Sequence, residues 1–123
     1  MRGFWRSVLD IAYRLGGTEG AILVVRAPRG VDHESAEPLR DCVAFHMPNR
    51  DGAGVVLDMS EVEMISSIGI AALLQVVEHC RDRGAAAVLA GLPERQRAFL
   101  AMLRIDAKFE LCGSVDEALA RLG

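Results

Sequence analysis

The sequence predicts an α/β domain built on a mixed, mostly parallel sheet of about five strands, with four helices and the element order ββαβαβαβα. Short apolar runs of strand length alternate along the chain with longer segments in which apolar residues recur at helical spacing. Turns containing glycine and proline separate these segments, and no linker, repeat or low-complexity stretch divides the 123 residues. Because strands that alternate with helices need crossover connections, most of the strands are expected to be parallel.

Composition and charge exclude several classes of protein. With 51% apolar residues, the chain can bury the core of one domain. It has no apolar run near ~20 residues, and its amino terminus lacks the pattern of a signal peptide, so we expect a cytoplasmic location without membrane insertion. The net charge of −3, with both signs interspersed, argues against nucleic acid as a partner.

The sequence also lacks the patterns that accompany catalysis or metal binding. It contains no Gly-rich phosphate loop, no nucleophile elbow and no cluster of metal ligands. The three cysteines, Cys42, Cys80 and Cys112, are widely spaced within apolar segments, which predicts free buried thiols. We therefore expect a protein that is not an enzyme and that holds no metal or cofactor.

The amino-terminal part of the chain is the least informative. Apolar residues within Met1–Leu15 mix the two periods, so a short helix, an edge strand and a strand preceded by a loose tail all fit, with a strand favoured in the later part. Residues 1–20 are therefore assigned to an N-terminal segment of the same domain, and residues 21–123 to the domain proper. The turn Gly16–Gly20 and the apolar run Ala21–Ala27 predict a hairpin that opens the sheet.

Four further residues in this half of the chain need interpretation. Phe4 and Trp5 fit a local hydrophobic lid better than a docking site for a partner chain. Asp32 is expected to cap a helix that continues through Phe45. His33, without a recognisable nucleophile nearby, is interpreted as a surface or capping residue rather than a catalytic base.

The stretch Asp58–Ile70 organises the rest of the prediction. The β-branched run Gly54–Met59 suits a strand buried on both faces, and a helix begins at Ser66 or Ser67, since Ser is a preferred N-cap. The unpaired amides and the dipole at this helix start would also favour a phosphate. The helix is expected to end near Arg81–Gly84. Its predicted inward face consists of Ile70, Leu73, Leu74 and Val77.

Two further pairs of strand and helix complete the chain. They are a strand at Ala85–Gly91, a helix at Pro93–Leu103, a strand at Phe109–Cys112 and a helix that runs from a capping box at Ser114 to Leu122. Within the helix at Pro93–Leu103, the residues expected to face inward are Phe99, Leu100 and Leu103.

Three motifs give the chain a resemblance to a known family. The strand end reads Asp58-x-Ser60-x-Val62, and the helix start reads Ile65-Ser66-Ser67-Ile68-Gly69-Ile70. The segment before the first long helix reads Asp32-His33-x-Ser35-Ala36-Glu37-x-Leu39-Arg40. Together with the element order, these motifs resemble the STAS domain, the module of bacterial anti-sigma factor antagonists and of sulphate-transporter tails. The resemblance extends over residues 21–122, most of the chain.

The resemblance implies a partner switch that regulates transcription. In the antagonist family, a partner anti-sigma factor that is a serine kinase phosphorylates the serine two positions before the glycine, which matches Ser67 here, with Ser66 as second choice. The unphosphorylated protein binds this kinase and frees its client; phosphorylation releases the protein, and a phosphatase resets it. The implied partner-binding residues are Asp32, His33, Asp58, Ser60, Ser66, Ile68, Gly69 and Ile70. A monomer or weak dimer is expected.

Several departures from the family pattern leave alternatives open. Ser66 stands where many family members carry Asp, Ile68 where many carry a second Ser or Thr, and Arg29 where a glycine is usual. Asp58 either orients the serine loop or a partner contact, or is a plain strand-end carboxylate. The competing function is a STAS subunit of a complex that transports lipids or anions, or of a sensory scaffold, in which the serine is structural.

Overall fold

Residues 5–8 and 11–122, which the computed structural model describes, form a six-stranded sheet, a two-stranded ladder and four helices. The strands are β1 (Arg6–Val8), β2 (Ile11–Gly16), β3 (Ile22–Arg26), β4 (Gly30–Val31), β5 (Gly54–Asp58), β6 (Met64–Ile65), β7 (Ala86–Ala90) and β8 (Glu110–Cys112). The helices are α1 (Ala36–His46), α2 (Ser67–Asp82), α3 (Glu94–Met102) and α4 (Val115–Leu122). The α/β class and the four helices are confirmed, whereas the main sheet has six strands instead of about five.

The main sheet has the strand order β1-β2-β3-β5-β7-β8 and is mixed, as predicted. β3, β5, β7 and β8 are parallel to one another, whereas β1 and β2 add antiparallel strands at one edge. β2 and β3 form the hairpin predicted at the start of the sheet. β1 is the strand that the sequence prediction lacked, and Phe4, one of the two residues of the predicted lid, lies outside the described residues.

The central strands bury residues on both faces, which is why their sequences are continuous apolar runs. Leu57 and Leu89 belong to the larger core, which includes residues of α1, α2 and α3. Val56 and Val88, which are neighbours in the β5–β7 register, belong to a smaller core beneath α4. Every residue of β5 is buried, so the strand that leads to the predicted site is the best-covered strand of the sheet.

Helix α2 turns a slightly different face inward from the one predicted. Leu73 is fully buried as expected, but Leu74 and Val77 are only half-buried, and Val76 and Cys80 take inward positions. The apolar stripe of a globular helix is at least about 100° wide. Spacing alone therefore identifies the stripe without fixing which of its residues lie at the centre.

The inward position predicted for Leu103 is wrong. α3 ends at Met102, and the Leu103 side chain is 45% exposed. Arg104, which follows, has a positive φ of 60° and turns the chain away from the helix axis. Leu100 is fully buried, and Phe99 packs against the core, so the other two inward positions are confirmed.

The predicted cap of the first long helix is also displaced. α1 begins at Ala36, after Ser35, rather than directly after Asp32. The Asp32 Oδ1 accepts hydrogen bonds from the backbone N–H groups of Glu34 (3.0 Å) and Ser35 (3.3 Å). Asp32 thus closes an Asx turn ahead of α1 instead of capping the helix. The short Asp carboxylate can accept backbone N–H groups in either arrangement.

The three cysteines are free and buried, as predicted. Burial raises the pKa of the Cys42 and Cys80 thiols to about 11, so both stay protonated near neutral pH. Among residues 5–8 and 11–122, no group of side chains is arranged to hold a metal ion. None of the described helices is both long enough and apolar enough to cross a membrane.

The contrasting positions of two leucines in and after α3 can be tested by truncation. Leu100→Ala empties a fully buried site, so we expect the free energy of unfolding to fall by about 2–5 kcal/mol. Leu103→Ala removes a side chain that is 45% exposed and should cost less than about 1 kcal/mol. Urea denaturation measures both values, and equal losses would contradict the outward position of Leu103.

Candidate functional site

The predicted site lies where the parallel strands end. Because β3, β5 and β7 run in the same direction, the segments that follow them meet at one edge of the sheet. These segments are residues 27–35, 59–66 and 91–93, and together they are called the carboxyl edge. All the residues that the family resemblance implicates lie on this edge, at the end of β5, or in the first turn of α2.

Two of these segments are joined by backbone hydrogen bonds. In the β4–β6 ladder, Val31 lies opposite Ile65 in parallel register. The Arg29 carbonyl accepts hydrogen bonds from the N–H groups of Glu63 and Met64 at 2.7 and 3.1 Å. Since Arg29 forms this connection through its backbone, a side chain in place of the glycine usual in the family leaves the connection intact.

The two neighbouring serines have different roles at the start of α2. Ser66 is the N-cap, and its Oγ accepts a hydrogen bond from the N–H of Gly69 at 3.1 Å. Ser67 occupies the first helical position, its side chain is exposed, and its hydroxyl makes no hydrogen bond with the described residues. The predicted helix start is confirmed, with the cap at Ser66 and an accessible hydroxyl at Ser67.

Gly69 permits a close approach between α2 and the segment before α1. A Cβ at this position would overlap the carbonyl group of Val31 and would lie 3.0 Å from Val31 Cγ1. The Val31 side chain is fully buried, and its carbonyl oxygen accepts a hydrogen bond from the Ser66 N–H at 2.9 Å. The first turn of α2 therefore rests directly on the backbone of β4.

The side chains that flank Ser67 differ in their exposure. Ile68 and Met64 are 53% and 46% exposed, so two large apolar side chains close to Ser67 in the sequence face solvent. Gly69 and Ile70 are buried. Of the partner-binding residues predicted in the first turn, Ile68 is open to contact, whereas Gly69 and Ile70 hold the helix in place.

Asp58 is buried at the end of β5 and binds its own turn. Its Oδ1 accepts hydrogen bonds from the backbone N–H and the hydroxyl of Ser60 at 3.1 and 2.7 Å. Its Oδ2 lies 3.5 Å from Nε of Arg26 at the end of β3. The Asp58 carboxylate thus shapes the start of segment 59–66, which leads to the serine pair. Ser60 itself is exposed.

The segment before α1 contributes one fixed and one exposed side chain. Ser35 Oγ donates to the Gly30 carbonyl at 2.8 Å and accepts from the Asp32 N–H at 3.0 Å, so Asp32 and its turn are held on both sides. His33, in contrast, is exposed. The fold brings this segment beside the serine pair through the bond from Ser66 to Val31.

Gln96 supports the same edge and was not identified from the sequence. Its side chain is buried, and its Nε2 donates to the Glu63 carbonyl at 2.8 Å. It also lines an open groove of about 530 Å³. The groove residues are Arg29, Ser60, Glu61, Val62, Glu63, Pro93, Arg95 and Gln96. The signal available in the sequence was a polar residue four positions before the inward Leu100, on the apolar face of α3.

The family assignment follows from comparison with known proteins. Residues 14–118 match the family model of the STAS domain, so the chain belongs to the STAS domain family. The resemblance seen in the sequence motifs is thereby confirmed. The match covers the main sheet from β2 onward, the carboxyl edge, and the helices through the first half of α4.

Solved structures of low sequence identity share the fold. An anti-sigma factor antagonist (STAS) domain protein from Planctomyces limnophilus superposes with a TM-score of 0.71 at 16% identity, covering 89% of this chain and 97% of that chain. The anti-sigma factor antagonist SpoIIAA, of Bacillus, gives 0.71 at 14% identity, with 89% and 95% covered. A sulfate transporter family protein from Wolinella succinogenes gives 0.68 at 20% identity, with 83% and 84% covered. Antagonists and a transporter-family protein therefore share one fold.

The contact at Gly69 predicts that a single added methyl group is disruptive. In Gly69→Ala, the new Cβ meets backbone atoms of Val31 that cannot move aside, so unfolding should become easier by about 3 kcal/mol or more. Gly113→Ala is the matched control, because there a Cβ meets only the end of the Glu117 side chain at 2.9 Å. Thermal and urea denaturation should show a large loss for the first variant and a small one for the second. Similar losses would refute the steric argument.

The two serines should also differ in their effect on stability. Ser66→Ala removes the N-cap bond to Gly69, and we expect a loss of about 1 kcal/mol. Ser67→Ala changes an exposed hydroxyl that has no partner among the described residues, so its effect should stay within about 0.5 kcal/mol. Urea denaturation of both variants tests this difference. Equal losses would mean that both hydroxyls stabilise the helix.

Proposed function

We propose that this STAS domain is a phosphorylatable binding module of the anti-sigma factor antagonist type. In its unphosphorylated form it binds a partner that is both an anti-sigma factor and a serine kinase, and thereby frees the partner's client. Phosphorylation of Ser67 releases it from the kinase, and a phosphatase restores the binding form.

The exposed Ser67 hydroxyl is the observation that carries this proposal. A kinase must reach the acceptor oxygen, and Ser67 is exposed at the first position of α2. Ser66 Oγ already accepts the hydrogen bond from Gly69, so modification there would remove the N-cap of the helix. The geometry therefore favours Ser67 over Ser66 as the phosphorylated residue.

The helix start can accept a phosphate without unfolding. The N–H of Gly69 is bonded to Ser66 Oγ, whereas the N–H groups of Ser67 and Ile68 have no partner among the described residues. A phosphate carries about −1.5 to −2 charge, which the positive end of the helix dipole stabilises. Phosphorylation can therefore change the surface while the domain stays folded.

The apolar surroundings of Ser67 explain how phosphorylation would release a partner. Ile68, directly after Ser67, and Met64, three residues before it, both present exposed apolar surface. A partner that covers these side chains would also cover Ser67. Placing a phosphate in such a contact requires it to lose water without full compensation, which is costly for a charged group.

The proposal is tested by phosphorylation with a defined kinase. The chain is incubated with ATP and a purified serine kinase of the anti-sigma factor class, and intact-mass and peptide mass spectrometry record the modification. We expect one phosphate on the wild type and on Ser66→Ala, and none on Ser67→Ala. Ser114→Ala is the control, because Ser114 is exposed like Ser67 and, like Ser66, accepts a hydrogen bond at a helix start, from the N–H of Glu117. This variant should be phosphorylated like the wild type.

Release of the kinase is measured on the same samples. Unphosphorylated protein and Ser67→Ala should bind the kinase, while the phosphorylated protein should not. Phosphate found only on Ser66, or no phosphate on any serine, would overturn the assignment. An absence of phosphorylation combined with stable incorporation into a membrane transport complex would support the transport or scaffold function with a structural serine.

A further inference from the structure

An aromatic residue ahead of β1 is linked to the carboxyl edge by a chain of side-chain contacts. The guanidinium of Arg26 lies over the Trp5 ring, 4.0 Å from the ring centroid. Nε of Arg26 lies 3.5 Å from Oδ2 of Asp58, and Oδ1 of Asp58 accepts the two hydrogen bonds from Ser60. Trp5 is therefore separated from the first turn of segment 59–66 by only two side chains.

The register of the first three strands explains how Trp5 reaches this position. Ser7 in β1 lies beside Ala12 in β2, and Ala12 lies beside Arg26 in β3. Residues two apart in an extended chain share a face, so Trp5 lies on the same side as Ser7 and approaches Arg26. Trp5 precedes residues 14–118, the part of the chain that matches the STAS family model.

The ion pair between Arg26 and Asp58 does not fix the guanidinium by itself. Nε of Arg26 is buried and forms no hydrogen bond with the described residues, although the Asp58 oxygen is close enough for electrostatic attraction. A paired carboxylate and guanidinium are best oriented when two parallel hydrogen bonds form. Here the cation–π contact with the Trp5 ring, 4.0 Å from the centroid, adds a second constraint on the position of the guanidinium.

The charges of Arg14 and Asp58 give the contact between Trp5 and Arg26 more weight in holding this part of the sheet edge together. The guanidinium of Arg14 also lies over Trp5, 5.1 Å from the centroid, so the ring contacts two like charges. Asp58 is buried, and a buried carboxylate that loses its cation is strongly destabilised. Movement of Arg26 away from Asp58 would therefore loosen the turn that the Asp58 carboxylate closes at Ser60.

We propose that Trp5 is a positioning residue of the carboxyl edge: its ring holds Arg26 against Asp58, and Asp58 in turn holds the Ser60 turn in the segment that leads to Ser67. The structural part of this proposal depends only on the contacts above. Its functional part, that the turn contributes to kinase recognition, rests on the proposed function.

Two substitutions of Trp5 separate the aromatic contact from simple apolar burial. Trp5→Leu keeps an apolar side chain but removes the aromatic face, whereas Trp5→Phe keeps an aromatic face. Amide hydrogen exchange followed by NMR reports on the Ser60 N–H, which donates to Asp58. The N–H groups of Met59 and Ser66 serve as internal controls, since they donate to the carbonyls of Ala90 and Val31.

We expect Trp5→Leu to accelerate exchange at Ser60 about fivefold relative to Met59 and Ser66, and Trp5→Phe to change it little. The specificity constant for phosphorylation of Ser67 should fall in Trp5→Leu by a comparable factor and stay near wild type in Trp5→Phe. Unchanged exchange at Ser60, or equal acceleration at all three amides, would overturn the positioning role.

The outcomes for the two proposals are distinguishable. Faster exchange at Ser60 with unchanged phosphorylation would overturn the functional part and leave Trp5 a purely structural residue. If no kinase phosphorylates the wild type, the proposed function of the domain fails. The exchange ratio between Ser60 and the two control amides still decides in that case whether Trp5 holds the turn.

Discussion

The contact between Gly69 and the carbonyl group of Val31 is the constraint on which the carboxyl edge depends. A side chain at Gly69 would separate α2 from β4, and the hydrogen bond from Ser66 to Val31 requires the same close approach. The N-cap bond from Gly69 to Ser66 lies within this contact. One residue without a side chain therefore allows the two segments to meet and donates the hydrogen bond through which Ser66 caps the helix.

The structure shows which serine of the pair caps α2 and which one is exposed, a distinction that the sequence does not make. The hydrogen bond from Gly69 assigns the cap to Ser66, and the exposed Ser67 hydroxyl makes no hydrogen bond with residues 5–8 and 11–122. The carboxylate that many family members carry in place of Ser66 is chemically equivalent in this respect, because Asp and Ser are both strong N-cap residues. The replacement at Ser66 therefore preserves the helix start and removes only a charge beside Ser67.

Two kinds of feature could be predicted from the sequence: apolar patterns that continue over a whole strand or helix, and residues with a strong local preference, such as a capping serine. The buried run at β5, the serine cap of α2 and the alternation of strands with helices are of these kinds, and the structure has all three. The two-residue ladder of β4 and β6 is too short to show any period. The support from Gln96 and the ion pair of Asp58 depend on residues distant in sequence, which a single sequence without its fold does not connect.

Under the proposed function, the same division of roles would let one phosphate on Ser67 abolish partner binding while the domain stays folded. At the start of α2 the added charge meets the helix dipole, an effect worth about 0.3–1 kcal/mol in favour of the folded state. In a contact that covers Ile68 and Met64, the same charge must lose its water, at a cost of several kcal/mol without new hydrogen bonds. The balance is therefore favourable for the free domain and unfavourable for the complex, which is the difference that release of a partner requires.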